Sequence, residues 1–389
     1  MCVWLLLLCA CGKKDVPQQQ QPPETPPIQQ TEEPDLSPPV AVIPPPEEDP
    51  LDILMENMTL EEKVGQLFFV RCPAENAVED VQTYHLGGYI LFGRDFKDKT
   101  ANEIIQTIAS YQEAACHKGA GTEIPLLIGV DEEGGTVVRA SSNPHLRSSK
   151  FQSPQKLYAN GGPEAIQEDT KEKSIFLKAL GINVNLAPVA DVSADPNDFI
   201  YPRTLGQDAV ATSYYVATVV DTMQAYGMGS VLKHFPGYGN NVDTHTGIAL
   251  DERPYETFFN YDFLPFEAGI AEGGETSAVL VSHNIVSCMD PELPASLSPA
   301  VHEILRSELN FEGVVMTDDL AMDAVAAYAE DGAVAVMSIE AGNDIVLTTD
   351  YRTQIPKVIE TVKNGSLPEE MIDTACKRVL TWKSALGLL

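Results

Sequence analysis

The sequence predicts an α/β protein whose main domain is a closed (β/α)8 barrel of the TIM type. Three observations predict it. Eight short runs of β-branched residues, leucine and phenylalanine follow one another along the chain, most are separated by stretches long enough for a helix, and reactive side chains stand directly after several of them. Strands that are apolar throughout and alternate with helices pair in parallel, buried on both faces. Eight such units in one domain close into a barrel. An open doubly wound sheet is the alternative, but no GxGxxG follows an early strand to support it.

The elements run in order from an N-terminal segment that lies outside the barrel. Residues 3–10 (VWLLLLCA) form an apolar run, far shorter than the ~20 residues a membrane-spanning helix needs. The run fits the apolar core of a signal peptide. Leu8-Cys9-Ala10-Cys11 then resembles a bacterial lipobox, which implies lipidation at Cys11. The expected organisation is a signal peptide with lipobox at 1–11, a linker at 12–50 and the barrel at 51–389. The linker is rich in Pro, Gln and Glu. It has too little apolar surface to offset chain entropy, so it is expected to be a disordered tether. These features predict an extracytoplasmic protein that meets the bacterial membrane only through a lipid anchor.

Strand runs fall at 66–70, 88–92, 125–130, 183–187, 230–233, 278–282, 313–317 and 344–348. Helix-length stretches between them include 100–118, 164–179, 209–226, 256–272 and 298–309. In such barrels the active site lies where strands end and the next loops begin. Asp131, Lys233 with His234, His283 and Asp318 occupy those positions after four separate strands. That convergence points to an enzyme.

Composition narrows the partners. The formal net charge is −32, and beyond residue 50 the chain still holds 49 acidic against 23 basic residues. The acidity therefore belongs to the folded part. A surface this negative repels nucleic acid, whose phosphates require clustered Lys and Arg. Cys72, Cys116, Cys288 and Cys376 are scattered through the domain without a CxxC pair, so neither a zinc site nor a redox motif is supported. Isolated cysteines of this kind are expected as small buried hydrophobes.

The chemistry concentrates in a few segments. Asp318, in TDDL, sits at a strand end, where a carboxylate is held rigidly enough to act as a nucleophile. From spacing alone Asp319 could serve instead, and either could cap the following turn. In VDTH, Asp243 and His245 are two apart, so an extended chain projects both to one side. Asp243 could then fix the tautomer of His245 and tune it as a general acid. Lys233 and His234 open KHFPGYG, whose Pro and Gly residues suit a tight loop over a site. Asp131, in GVDEEGG, could accept hydroxyl hydrogen bonds, and Arg203, in YPRTLG, could contact ligand or form a structural salt bridge.

Taken together, MTLEEKVGQLFFV, GGYILFGRDF, PLLIGVDEEGGTVVR, GINVNLAPVADV, KHFPGYG with DTH, and GVVMTDDLAM resemble family 3 glycoside hydrolases. They are most similar to the β-N-acetylglucosaminidase (β-N-acetylhexosaminidase) branch, over essentially all of 51–389. The resemblance implies retaining hydrolysis of terminal β-linked N-acetylglucosamine, in a glycan or a muropeptide, with no cofactor or metal. It assigns the nucleophile to Asp318, the acid/base pair to Asp243 and His245, and substrate contacts to Asp131, Arg203, Lys233 and His234. The pair replaces the second carboxylate of most glycosidases. Family 3 enzymes selective for glucose carry a carboxylate acid on a second domain, and the end of this chain soon after the eighth unit agrees with the histidine branch. The sequence departs from the pattern at Glu132 and Thr136, where Gln and Arg are usual, at Tyr238, often His, and in a shorter GNNVDTH loop. These departures bear on leaving-group preference.

Rival readings are a phosphorylase or β-glucosidase on the same site, a metal-dependent hydrolase and a non-catalytic sugar-binding lipoprotein. Metal barrels usually build on a His-x-His near the first strand, whereas strand one here ends in Val70-Arg71-Cys72. The joint presence of Asp318, Asp243 and His245 argues against a dead site.

Overall fold

The computed structural model describes residues 49–117, 119, 123–242, 247, 249–328 and 332–389. The expected signal peptide, Cys11 and nearly all of the linker lie outside the described residues. Two short helices lead in, Pro50–Glu56 and Leu60–Gln66. The second starts at a Thr-x-x-Glu box: Thr59 Oγ accepts from the Glu62 N–H at 3.3 Å, and the Glu62 carboxylate accepts from the Thr59 N–H at 2.7 Å. Thr100 and Glu103 repeat this box at the start of the helix Ala101–Ala115.

Eight parallel strands follow: β1 (Phe68–Arg71), β2 (Gly88–Leu91), β3 (Leu127–Val130), β4 (Val184–Asn185), β5 (Gly229–Phe235), β6 (Ser277–Val281), β7 (Val314–Thr317) and β8 (Val346–Thr348). Each pairs with the next from β1 to β7, and β8 pairs with β1. A parallel bridge between Met316 and Ile345 joins β7 to the approach of β8 and completes the ring. The eight expected strands and the (β/α)8 barrel are thus present.

Alternation along the strands separates two apolar layers. Phe68 and Val70 face the surrounding helices, while Phe69 joins Leu127, Val184, Val231, Met316 and Leu347 in the barrel interior. The Phe69 ring fits because its neighbours are glycines. A Cβ on Gly129 would stand 2.4 Å from Phe69 Cζ, and one on Gly88 would stand 2.7 Å from Phe69 Cδ2. The last helix, Glu369–Ala385, closes the N-terminal end of the barrel. Its Trp382 belongs to the interior layer and donates from Nε1 to the Thr276 carbonyl at 3.0 Å.

Several elements differ from expectation for identifiable reasons. The stretch 256–272 is broken into Tyr255–Thr257, a wide π turn at Phe258–Asp262 and the helix Phe263–Gly273. Pro265, which has no N–H for the carbonyl one turn back, is the third residue of the helix that follows that wide turn. The helix expected at 164–179 begins at Pro154, with a kink at Gly161 and Gly162. Cys72 and Cys376 are buried, but Cys116 and Cys288 are exposed, and all four are free thiols.

Candidate active site

The strand ends open into a cavity of ≈ 900 Å³. Asp131 from the end of β3, Arg203 from the loop after β4, Lys233 and His234 from β5, and Asp318 from the end of β7 all line it. Lys233 and His234 are consecutive, so regular alternation would turn one of them away. The register of β5 against β6 shifts between Lys233 and Phe235, and a bulge of this kind re-aims a side chain.

A buried ion cluster fixes the floor. Lys233 Nζ lies 2.8 Å from Asp131 Oδ1 and 2.7 Å from Glu133 Oε1. Arg203 grips Glu133 in the two-pronged geometry suited to a guanidinium, Nε to Oε2 at 3.0 Å and Nη2 to Oε1 at 2.7 Å. Burial alone would raise the Glu133 carboxyl, but Arg203 and Lys233 outweigh it and hold it far below the usual range. Burial likewise works to lower Lys233, and the Asp131 and Glu133 charges overcome it, so the ammonium is stabilised. Arg203 thus forms the salt bridge that was one of its two sequence readings, and it also borders the cavity.

His234 is oriented from behind. Its Nδ1 is 2.7 Å from Asp191 Oδ2, and its backbone N–H donates to the same oxygen at 3.1 Å. A carboxylate only accepts, which assigns the ring proton to Nδ1 and leaves Nε2 to accept from Arg203 Nη2 at 3.1 Å. Asp191 Oδ1 also takes the Tyr238 N–H at 2.7 Å, tying KHFPGYG to the strand-four loop.

Asp318 projects from the first residue beyond β7. Its backbone N–H donates to the Val281 carbonyl at 3.0 Å, and its Oδ1 accepts from the Asp319 N–H at 2.8 Å. Burial pushes its carboxyl up, but His283, the Asp319 N–H and Lys233 act to bring it below the ordinary aspartate value. Asp319 caps the turn, accepting from the Ala321 N–H at 3.0 Å. His283 is fully buried and is not among the residues lining the cavity; its Nε2 lies 3.1 Å from the Asp319 carbonyl, so it braces this segment from below.

Asp243 and His245 lie outside the described residues. The chain on either side of them is anchored, however. Arg253 donates to Asp251, to Asp262 and to the Gly237 carbonyl, while Asn241 bonds Asp251 Oδ2 at 2.6 Å. Glu133, Asp191 and Arg253 are the site residues that sequence reasoning missed. Glu132 holds the local backbone instead, its carboxylate accepting the N–H groups of Arg139, Ala140 and Ser141. Among the described residues, no group of three or more His, Cys, Asp or Glu side chains could hold a metal ion.

Residues 59–382 match the glycosyl hydrolase family 3 N-terminal domain. The chain belongs to glycosyl hydrolase family 3. A β-hexosaminidase of Xylella fastidiosa is 34% identical over 69% of this family 3 chain and 78% of its own. One from Stenotrophomonas maltophilia is 32% identical over 78% and 86% of the respective chains. Among solved structures, the family 3 β-N-acetylglucosaminidase of Paenibacillus sp. str. FPU-7 superposes with a TM-score of 0.78 at 30% identity. It covers 85% of this chain, which in turn spans 63% of that one. The β-N-acetylhexosaminidase of Beutenbergia cavernae DSM 12333 gives 0.74 at 29% identity, over 85% of this chain and 99% of that one. As a family 3 member the protein is a glycoside hydrolase.

Proposed function

We propose that this hydrolase is a retaining β-N-acetylhexosaminidase that cleaves terminal β-linked N-acetylglucosamine through a covalent glycosyl-enzyme on Asp318. The observation that carries the reading is the position of the Asp318 carboxylate, held at the end of β7 in the cavity bordered by Asp131, Arg203, Lys233 and His234. The named hexosaminidases among its relatives support the sugar specificity.

In the first half-reaction Asp318 attacks the anomeric carbon, and the bond to the leaving oxygen breaks as that oxygen takes a proton from His245. Asp243 orients the imidazole and stabilises its cationic form. In the second half, water attacks the anomeric carbon, gives its proton to His245 and releases Asp318, so two inversions leave the β configuration intact. Asp131 accepts sugar hydroxyls, and Lys233, Arg203 and His234 complete the polar surface around the ring. Because Glu133 and Asp191 already fix these groups, little reorganisation accompanies binding.

The test is release of nitrophenol from the β-N-acetylglucosaminide and from the β-glucoside. The wild type should strongly prefer the N-acetyl sugar, and Asp318→Ala should abolish turnover of both. Full activity in that variant would remove Asp318 from the mechanism. For location, the reading is a lipid-tethered protein outside the cytoplasm, supported by the lipobox-like Leu8–Cys11 run. Labelled palmitate should enter the wild type and not Cys11→Ser.

A further inference from the structure

One cation of the cavity takes no part in the ion cluster. Arg71 is the last residue of β1 and lines the cavity together with Phe92, which directly follows β2. Its guanidinium carbon stacks 4.3 Å from the Phe92 ring centroid. Stacking uses the flat face of a guanidinium and leaves the in-plane N–H donors to be satisfied elsewhere. Among the described residues no group does so: the buried Arg71 Nε has no hydrogen-bond partner, and the side chain makes no ion pair with them. The nearby acid Asp95 is otherwise engaged, capping the Phe92 N–H at 2.7 Å and facing Arg94 at 3.6 Å. Arg139, 5.6 Å from the centroid of the same ring, also has a buried, unpartnered Nε, and its contact to Asp131 is a long 3.5 Å. In a chain of net charge −32, a half-buried arginine that faces an open cavity, with its Nε buried and unpartnered and no ion pair among the described residues, is unexpected, because buried polar groups are normally hydrogen-bonded.

We propose that Arg71, stacked on Phe92, forms an anion-recognising subsite of this cavity that selects glycosides bearing a carboxylate on the residue beyond the cleaved bond. The groups expected to hold the cleaved sugar come from β3, β5, β7 and the loop after β4. Arg71 and Phe92 come from β1 and β2, a separate arc of the same rim. A planar carboxylate matches the in-plane donors of a guanidinium whose face is already covered. The inference rests on the hexosaminidase reading and adds to it the charge of the leaving group.

The probes are two S-linked thioglycosides of β-N-acetylglucosamine, one with a 4-carboxyphenyl and one with a 4-carbamoylphenyl group. The two are similar in shape and resist cleavage, so calorimetry reads binding alone. Wild type should hold the carboxylate about tenfold tighter, the scale of one hydrogen-bonded charge contact. That ratio should fall to about one in Arg71→Met, and part of it should survive in Arg71→Lys. Equal affinities in the wild type, or an undiminished ratio in Arg71→Met, would overturn the subsite. If the wild type releases nitrophenol from the β-N-acetylglucosaminide yet shows no ratio, the subsite alone fails. If it neither binds the probes nor turns over that substrate, the hexosaminidase reading fails and takes the subsite with it.

Discussion

Glu133 shows at the scale of one residue what the floor of the cavity depends on. It is 5% exposed and contacts two cations: without it Lys233 would keep only Asp131, at 2.8 Å, and Arg203 only the more distant charges of Asp131 and Asp191. Removing one member of a buried ion cluster strands its partners, which costs roughly 3–5 kcal/mol. Glu133→Gln should therefore unfold at lower urea than the wild type and bind substrate more weakly as Arg203 and Lys233 lose their hold. The pH dependence has a definite sign. Burial opposes ionisation, but the two cations depress the folded carboxyl far below its unfolded value of about 4.3. Its contribution is thus complete above that value and lost as pH falls toward the folded one. The gap between wild type and Glu133→Gln should be constant from pH 7 to 5. Below about pH 4 it should narrow, by up to about 1.4 kcal/mol per unit; a gap of the same size at pH 3 would contradict the ion cluster as the cause.

The proton donor is tested at the same scale through the leaving group. Only a poor leaving group needs protonation as it departs. His245→Ala should lose far more rate on alkyl N-acetylglucosaminides than on nitrophenyl ones, and equal losses would remove His245 from the acid role. Asp131, Lys233, His234 and Asp318 were legible in the sequence because each stands where an apolar strand run gives way to a polar residue. Glu133 and Asp191 were not. Their importance lies in partners 70 and 43 positions away, and nothing local separates Glu133 from its neighbour Glu132, whose carboxylate merely holds a turn.

At the scale of elements, the barrel is specified by where bulk and its absence meet. Strand runs survive in the sequence because a strand buried on both faces must be apolar at every position. Which of those positions point inward depends on the sheet, and so does the reason for two glycines beside Phe69. Gly129→Ala would place a methyl 2.4 Å from the Phe69 ring, an overpacking that costs about 1–3 kcal/mol. Phe69→Leu alone should also destabilise, by leaving a gap in the same layer. Combined, the two changes relieve one another. A double-mutant cycle by urea unfolding should therefore show a loss smaller than the sum of the singles, and simple additivity would mean that the ring does not meet β3. The broken helix at 255–273 was not legible because the π turn is an adjustment of hydrogen-bond register that leaves apolar periodicity largely intact.

At the scale of the whole molecule, the last helix of the barrel holds the approach to its first and third strands. Lys383, on the helix that closes the barrel floor, is fully buried and donates to Gln66 Oε1 at 2.7 Å, just before β1, and to the Pro125 carbonyl at 2.8 Å, before β3. Neither acceptor carries a charge. Burial, opposed only weakly by Cys376 and Cys116, pulls its ammonium down to about 7. A lysine depressed in this way is neutral when folded and charged when unfolded between about pH 7 and its unfolded value of about 10.4. Across that window the unfolded chain binds the extra proton, so stability rises with pH, by at most about 1.4 kcal/mol per unit. The buried thiols Cys72 and Cys376 are raised instead, which lowers stability as alkaline pH ionises the unfolded chain. The wild-type profile sums these opposing trends. The contrast with Lys383→Met isolates the lysine: between pH 7 and 9.5 the wild type should gain stability relative to the variant, whatever their offset at pH 7. Unfolding profiles that run parallel through that window would mean that Lys383 stays charged in the folded barrel, bound to its two neutral acceptors as an ammonium.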